Sequence, residues 1–443
     1  MDSLPAFVTP STTQSVLILG AGPAGLSAAT RLAHVGYRVT VVDHSLRLPK
    51  QPDDESSPPL SVLGCHRSTW ALLESLGHPS HSPAFAEATL DFLLPGGRVA
   101  HYPRTRFPTP LRQLFTIGRF SGLSWKDRWT LLSWLEEIWE GSSTLPSDLE
   151  NRTAHHWLES LHLDRRLIET IWNPLAHWLT GNDLQQLSAD AFISSLKPFF
   201  ISQASDSRIY VPRQPWQEIF VRPLVETLRK DGASLSLGLE AVQVEVQNER
   251  IAGVRCDDGG ILRADWYIAA IPFYRLTPLL PERWLTRFAY FQQLTKLKSL
   301  SSTTIRVYMP AKLVTPRQIL LSEGPFPWLL CTPSKNGQTM EAVVTLPQGR
   351  TGIDTEPQVC RLLSSLRLLQ PNSPLTRFSQ WNVDHAVLML PPGTKTLRPI
   401  QLSPIDNLLV AGAWTDTGWP ENLESAIVSG ERCAEIIIQR HHP

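Results

Sequence analysis

The chain has 443 residues, long enough that two closely associated domains are expected in place of one core. Its 41 basic and 41 acidic side chains balance, which excludes a global field favouring nucleic acid. The five cysteines (Cys65, Cys256, Cys331, Cys360, Cys433) are odd in number, scattered and without C-x-x-C spacing, so neither a disulfide frame nor a zinc site is expected, and a reducing compartment fits.

Met1 to Gln14 contains no basic residue and no long apolar core, so no signal peptide is expected. No run approaches the roughly 20 apolar residues of a membrane span, and a cytoplasmic protein, soluble or peripheral on a membrane, is expected. Val16, Leu17, Ile18 and Leu19 read as a buried parallel strand, followed at once by Gly20-Ala21-Gly22-Pro23-Ala24-Gly25. In such a turn the first Gly allows the bend. The second lets a pyrophosphate approach the backbone, and the third lets the helix pack on the sheet. Leu26, Ala29, Leu32 and Ala33 recur at helical spacing, Gly36 ends the helix, Tyr37 to Val42 form a strand, and Asp43 closes it. A bare G-x-G-x-x-G also serves simple helix packing. Here the strand before, the helix after and an acid placed for a ribose hydroxyl together predict dinucleotide binding. The motif alone does not separate FAD from NAD.

Pro49 to Pro59 reads as a loop, His66 to Leu76 as a helix, and Leu90 to Val99 as a hairpin turning at Pro95-Gly96-Gly97. Arg104, Arg106, Arg112 and Arg119 lie among Phe107, Leu111, Leu114, Phe115 and Ile117, a pattern that suits a solvated helix face or a membrane surface. Ser124 with Asp127 makes a capping box ahead of the stripe Leu131, Leu135, Ile138. Thr153 to Leu161 is a short helix, and Asp164 to Thr180 another, kinked at Pro174 and closed by Gly181. Of the 15 tryptophans, eight lie between Trp125 and Trp216, as core anchors or as the lining of an apolar cavity.

After Arg208 the character changes. Pro223 to Lys230 reads as a helix, and Leu235–Leu239, Val242–Gln247, Ile251–Cys256 and Ile261–Ile271 as strands. Thr303–Tyr308, Ile319–Ser322, Trp328–Cys331, Met340–Leu346 and Trp381–Leu390 suit an antiparallel sheet, with Glu356–Leu369 a helix. Asn407 to Ala411 is a buried strand entering the turn Gly412 to Pro420, and Asn422 to Ile438 a helix whose N-terminus could face an electron-rich ligand atom.

At this point the chain resembles the FAD-dependent amine oxidase and phytoene desaturase superfamily. Gly20, Gly22, Gly25, Ala29, Leu32, Gly36, Val39 and Asp43 all fall at that family's spacing. Leu63 to Thr69, Trp172-Asn173-Pro174-Leu175, Tyr210-Val211-Pro212-Arg213 and Leu408 to Ala426 resemble its squalene-associated branch, the hydroxysqualene dehydroxylases. The resemblance implies an α/β fold. It has a doubly wound Rossmann-type FAD-binding domain (1–102, 206–275 and 396–443), an inserted helical subdomain on the substrate and membrane side (103–205) and a mixed-sheet substrate domain (276–395). Gly20, Gly22 and Gly25 would hold the FAD pyrophosphate, with Ala21 and Ala24 in the same turn and Asp43 on the adenosine ribose. The Val242 backbone would meet the adenine. Gly412 and Ala413 would lie near the ribityl chain, and Asn422 and Leu423 would put a helix N-terminus at the flavin pyrimidine end.

The activity implied is FAD-dependent conversion of hydroxysqualene to squalene, with hydride delivered to an allylic carbon as hydroxyl leaves. The partners implied are a long apolar isoprenoid, a membrane surface and upstream squalene-pathway enzymes, and no nucleic acid. No spacing identifies an acid–base residue. Asp416 and His177 are candidates for which structural roles are the simpler reading. Two segments depart from the family pattern: Leu46-Arg47-Leu48-Pro49-Lys50 replaces a Gly-Gly-Arg turn, and Gly412-Ala413 a Gly-Asp pair. Carotenoid desaturation, amine oxidation with Trp414 and Trp419 in an aromatic cage, and a non-catalytic relative are therefore the alternatives.

Overall fold

The computed structural model describes residues 14–45, 61–103, 111–139, 148–200, 203–310, 313–333, 339–347, 354–369 and 375–441. The Leu46–Lys50 stretch, the loop at Pro49–Pro59 and the basic residues Arg104 and Arg106 lie outside them.

Among the described residues, one sheet is parallel and five-stranded, in the order Leu408–Val410, Trp266–Ala269, Ser15–Leu19, Arg38–Asp43, Ser234–Leu237. Leu17 lies opposite Tyr267 on one side and Thr40 on the other. Both faces of this sheet are covered, which is why its strands are continuous apolar runs without polar alternation. Val16 and Ile18 pack with Leu26 and Leu32 of the helix Pro23–His34 and with Ile427 of the helix Leu423–His441. Leu17 and Leu19 join the cluster on the opposite face, with Phe273 and with Val254 from the small antiparallel sheet of Ala241–Gln247, Arg250–Cys256 and Ile261–Leu262. The first and last helices touch through their backbones. A Cβ on Gly430 would stand 2.1 Å from the Ala24 carbonyl oxygen, and the Ser27 hydroxyl donates to the Ile427 carbonyl at 3.2 Å. The expected strand Ile261–Ile271 is split into Ile261–Leu262 and Trp266–Ala269. At the break the Asp265 carboxylate accepts from both the Ser15 N–H and hydroxyl at 2.8 Å, fixing the register of the central pair.

The second sheet is mixed: Arg377–Leu388, Ser299–Pro310, Thr339–Pro347, Trp328–Pro333, Arg317–Leu321, Phe85–Leu94, Ile209–Pro212, Val62–Leu63, with Arg98–His101 beside Phe85–Leu94. Its neighbours pair antiparallel, except that Arg317–Leu321 runs parallel to Phe85–Leu94. The hairpin turn expected at Pro95-Gly96-Gly97 is present, yet its strands belong to this sheet, although they fall inside the stretch 1–102 read as FAD-binding. Local apolar patterning identifies a strand but not its neighbour, because pairing is set by register over long range.

The helices expected within 103–205 lie between Leu111 and Phe200. The Ser124–Asp127 box is reciprocal, the Ser124 N–H donating to Asp127 at 3.0 Å and the Asp127 N–H to the Ser124 hydroxyl at 3.2 Å. A π-helical turn over Ile168–Trp172 runs directly into the helix Asn173–Thr180, and Pro174 stands at their junction. Gly181, at φ +70°, closes that helix. No helix among the described residues is long and apolar enough to cross a membrane.

Candidate functional site

The site is built where the parallel strands end. Three neighbouring strands finish at Leu19, Ala269 and Val410, so Gly20, Ala270 and Gly412 stand along one rim. The chain leaves the central strand toward one side for Arg38–Asp43 and returns on the other for Trp266–Ala269. That change of side opens the crevice in which such sheets take ligands.

Each glycine of the first turn has its own reason. Gly20 has φ +108°, and a Cβ there would lie 2.4 Å from the Ala270 carbonyl oxygen. A Cβ on Gly25 would lie 1.9 Å from the Gly20 oxygen. Gly22 has an ordinary φ of −75° and nothing within 4 Å of its missing Cβ. Folding therefore requires Gly20 and Gly25, whereas the bare face of Gly22 opens on space at the start of the helix Pro23–His34. A pyrophosphate fits that cradle: Pro23 has no N–H, and the next first-turn N–H groups, of Ala24 and Gly25, are those the helical ladder leaves over. The Ala24 side chain itself is buried in the core and acts only through its backbone. Ala21 donates its N–H to Asp43 Oδ2 at 2.7 Å, and Ser45 donates to Asp43 Oδ1 at 2.8 Å. Two backbone donors occupy half of the roughly four acceptor sites of that carboxylate, so it can still receive a ribose hydroxyl. Leu239 donates to the Asp43 carbonyl at 3.0 Å, which brings the following segment to the same edge. Val242 is the extra residue of a β-bulge between Ala241 and Gln243 and is 43% exposed, a position with backbone available to an adenine.

The second half lies around the C-terminal turn. Gly412, at φ +147°, leaves no room for a Cβ, which would meet Trp414 Nε1 at 2.4 Å. Its N–H donates to the Ser429 hydroxyl at 2.8 Å. Ala413 has no carboxylate to offer a ribityl hydroxyl, and its carbonyl accepts from Arg398 at 3.0 Å and from the Ser425 hydroxyl at 2.9 Å. Asn422 is the N-cap of the last helix, its side-chain oxygen accepting from the Ser425 N–H at 2.8 Å, and Leu423 is buried against the parallel sheet's core. Apart from Val242, which lies in the small antiparallel sheet, the predicted set sits at or just beyond strand ends of one sheet.

Several residues that organise this half were not singled out from sequence. Arg398 donates to the carbonyls of Ala413, Trp414, Thr415 and Trp419 at 2.6–3.2 Å, holding the whole turn from one guanidinium. Glu424, 2% exposed, accepts from the Ser68 and Thr69 N–H groups at 2.9 Å and from the Thr69 hydroxyl at 2.6 Å. It thus caps the helix Arg67–Ser75 from the far end of the chain. Burial holds the carboxyls of Glu424 and Glu421 above the usual range, and Glu421 accepts from the Leu388 N–H.

Of the tentative candidates, His177 Nε2 lies 3.4 Å from Asp183 Oδ2, and that hydrogen bond is the largest cause lowering the Asp183 carboxyl to about 2. Asp416 accepts from the Gly418 N–H at 3.3 Å. Both are structural contacts. Trp414 donates to the Ile271 carbonyl at 3.1 Å and is 3% exposed. Trp419 instead lines a cavity of about 160 Å³ with Leu63, Trp178, Leu179, Trp328 and Leu330. Trp414 does not line that cavity. The Cys65 thiol in its wall is pushed up to about 12, chiefly by burial, and is not a nucleophile at neutral pH. A larger groove of about 980 Å³ lies at His177, Tyr274 and His385, and none of the predicted cofactor residues lines it.

Residues 59–438 match the family described as flavin containing amine oxidoreductase, and residues 18–48 match the NAD(P)-binding Rossmann-like domain. The chain is 24% identical over 469 residues to a 15-cis-phytoene desaturase of Synechococcus elongatus, covering 96% of both chains. It is 23% identical over 477 residues to a zeta-carotene desaturase of Synechocystis, covering 96% of this chain and 97% of that one. A redesigned triple variant of putrescine oxidase superposes with a TM-score of 0.68 at 18% identity, over 96% of this chain and 99% of that one. The glycine cradle, the acid at the second strand's end and the C-terminal strand–turn–helix thus carry the same meaning as the family match: the chain belongs to the flavin containing amine oxidoreductase family and is an oxidoreductase whose cofactor is FAD.

Proposed function

We propose that this oxidoreductase acts on a long apolar isoprenoid, converting hydroxysqualene to squalene. The observation that carries the reading is the lining of the cavity beside Trp419. It contains no ionised side chain among the described residues and presents the indoles of Trp178, Trp328 and Trp419 to whatever enters. An ammonium substrate would find no carboxylate there, whereas the indoles and leucines suit one apolar segment of a longer chain, which is as much as a cavity of about 160 Å³ can take. Electron-rich ring faces also favour positive charge developing on an allylic carbon. Bound in the cradle, FAD in its reduced form supplies a hydride, and the net change replaces C–OH by C–H and releases water once a proton is added. The chain's own share is to hold the isoprenoid, exclude water and keep the turn Gly412–Pro420 in place through Arg398. The same scaffold also supports carotenoid desaturation, the reverse sense of hydride transfer, a second reading favoured by the similarity to the two desaturases.

Such substrates reside in lipid. Trp125 and Trp129, 71% and 60% exposed and packed edge to face at 5.9 Å, lie on one helix with Lys126 and form a surface suited to peripheral contact with a cytoplasmic membrane and with enzymes that deliver isoprenoids. Incubation of the FAD-loaded, chemically reduced protein with hydroxysqualene in liposomes, followed by mass spectrometry, should yield squalene. Absence of squalene, with desaturation of phytoene or zeta-carotene when a quinone is supplied, would replace the first reading by the second.

A further inference from the structure

Beside its indoles and leucines, the cavity at Trp419 is lined by Ser61, Ser195, Asn422 and two buried polar side chains. His66 is 3% exposed and Gln318 is 1% exposed, and both line it. His66 precedes the helix Arg67–Ser75, and Gln318 lies on the strand Arg317–Leu321 with its backbone paired to Leu330 and Leu90, so two unrelated elements deliver them. His66 Nδ1 lies 3.3 Å from the Leu63 N–H. A backbone N–H can only donate, so Nδ1 carries the lone pair and the proton is on Nε2. Burial keeps the imidazole neutral, its pKa lowered to about 3. Among the described residues, neither His66 Nε2 nor Gln318 Nε2 has a hydrogen-bond partner. The Trp419 ring, edge to face with His66 at 5.6 Å, offers at most a weak π acceptor. Buried donors are almost always paired, and those that are not call for an explanation.

We propose that His66 and Gln318 form a hydroxyl-binding subsite, which holds the single oxygen of an otherwise apolar alcohol. A hydroxyl oxygen can accept from His66 Nε2–H, and the hydroxyl can meet the Gln318 amide in either orientation, since it both donates and accepts. A pure hydrocarbon would leave both groups unpaired, and sites built to bond a hydroxyl reject analogues that lack it. This inference rests on the reading of the cavity as the substrate site. It selects within that reading, favouring an alcohol over a carotene. The same acceptor chemistry is present in a carbonyl of the flavin ring, and the experiment separates the two.

The test is equilibrium binding of hydroxysqualene and squalene to the FAD-loaded protein kept oxidised, so that no reduction occurs, with retained ligand counted by mass spectrometry after gel filtration. The wild type should bind the alcohol at least tenfold more tightly. Gln318→Leu and His66→Phe should each reduce that preference while leaving squalene binding within about twofold, with flavin absorbance and melting temperature as controls of folding. Equal binding of the two ligands by the wild type overturns the subsite and needs no variant. So does a preference that survives both substitutions. Variants that shift the flavin spectrum or FAD affinity and spare the preference overturn it too, and assign the donors to the flavin carbonyl. Failure of the reduced protein to make squalene while the preference persists would instead remove the proposed reaction and leave the subsite standing.

Discussion

Gly22 and Gly25 are three residues apart in one motif, yet the structure gives them opposite duties, which a pair of alanine substitutions should separate. At Gly22 the backbone is in a region open to any residue, and no atom lies within 4 Å of the added methyl. Gly22→Ala should leave the melting temperature unchanged or slightly raised, since restricting the unfolded chain gains about 0.4–1 kcal/mol at a compatible position. The same methyl would stand where a pyrophosphate must approach the first-turn N–H groups. Loss of one charge-assisted bond there, about 1.5–3 kcal/mol, weakens FAD by roughly ten- to a hundredfold. At Gly25 the methyl would lie 1.9 Å from the Gly20 carbonyl oxygen and 3.3 Å from Ala270 Cβ. Both neighbours belong to or adjoin rigid backbone, so the helix must lift from the sheet at a cost of about 1–3 kcal/mol or more. Titration of flavin fluorescence against each apoprotein, beside a thermal melt without FAD, reads the two effects independently. FAD affinity within twofold of wild type in Gly22→Ala would refute the cradle. Equal destabilisation by both substitutions would refute the division of labour.

Arg398→Met should lower stability by about 2–4 kcal/mol, because one guanidinium serves four carbonyls of the C-terminal turn. Arg398→Lys should recover little of it, since an ammonium lacks the planar fork. Chemical denaturation curves for the two variants check this, and a lysine variant as stable as wild type would contradict the geometry. The Asp183 carboxyl is depressed in the fold, so its contribution is present above its ordinary 3.8 and is lost as pH falls toward about 2. Asp183→Asn should therefore be less stable than wild type at neutral pH and converge with it across that acid window. A constant difference between the two at all pH values would assign the effect to packing.

Much of the candidate site's backbone geometry was legible because its constraints are local. A Gly at φ +108°, a helix start with Pro in its first turn, an acid at a strand end and the Ser124–Asp127 cap each state their geometry within a few residues. What escaped the sequence is whatever depends on distant partners. Glu424 caps a helix 355 residues away, and nothing around Ser68 and Thr69 names the carboxylate that meets them. Arg398 is one arginine among many until the carbonyls of 413–419 fold over it. The strand Phe85–Leu94 reads the same whichever sheet it joins, and its parallel partner Arg317–Leu321 decides the matter from more than 200 residues on. The π-turn before Pro174 is invisible to a pattern of period 3.6, because one widened turn preserves the stripe on either side.

The contact between the first and last helices sets a condition on how the protein is made. Ser27 and Ile427, hydrogen-bonded in the finished fold, are 400 residues apart, and at roughly 5–20 residues per second a ribosome takes on the order of 20–80 seconds to pass from one to the other. For more than half of that interval, until Ala269 is made, the strand Ser15–Leu19 lacks its neighbour Trp266–Ala269 on the return side, and throughout it the small-residue face of the helix Pro23–His34 lacks the last helix on which it closes. The nucleotide-binding half of the molecule is thus the first to be begun and the last to be completed, because its opening helix closes only on the last one.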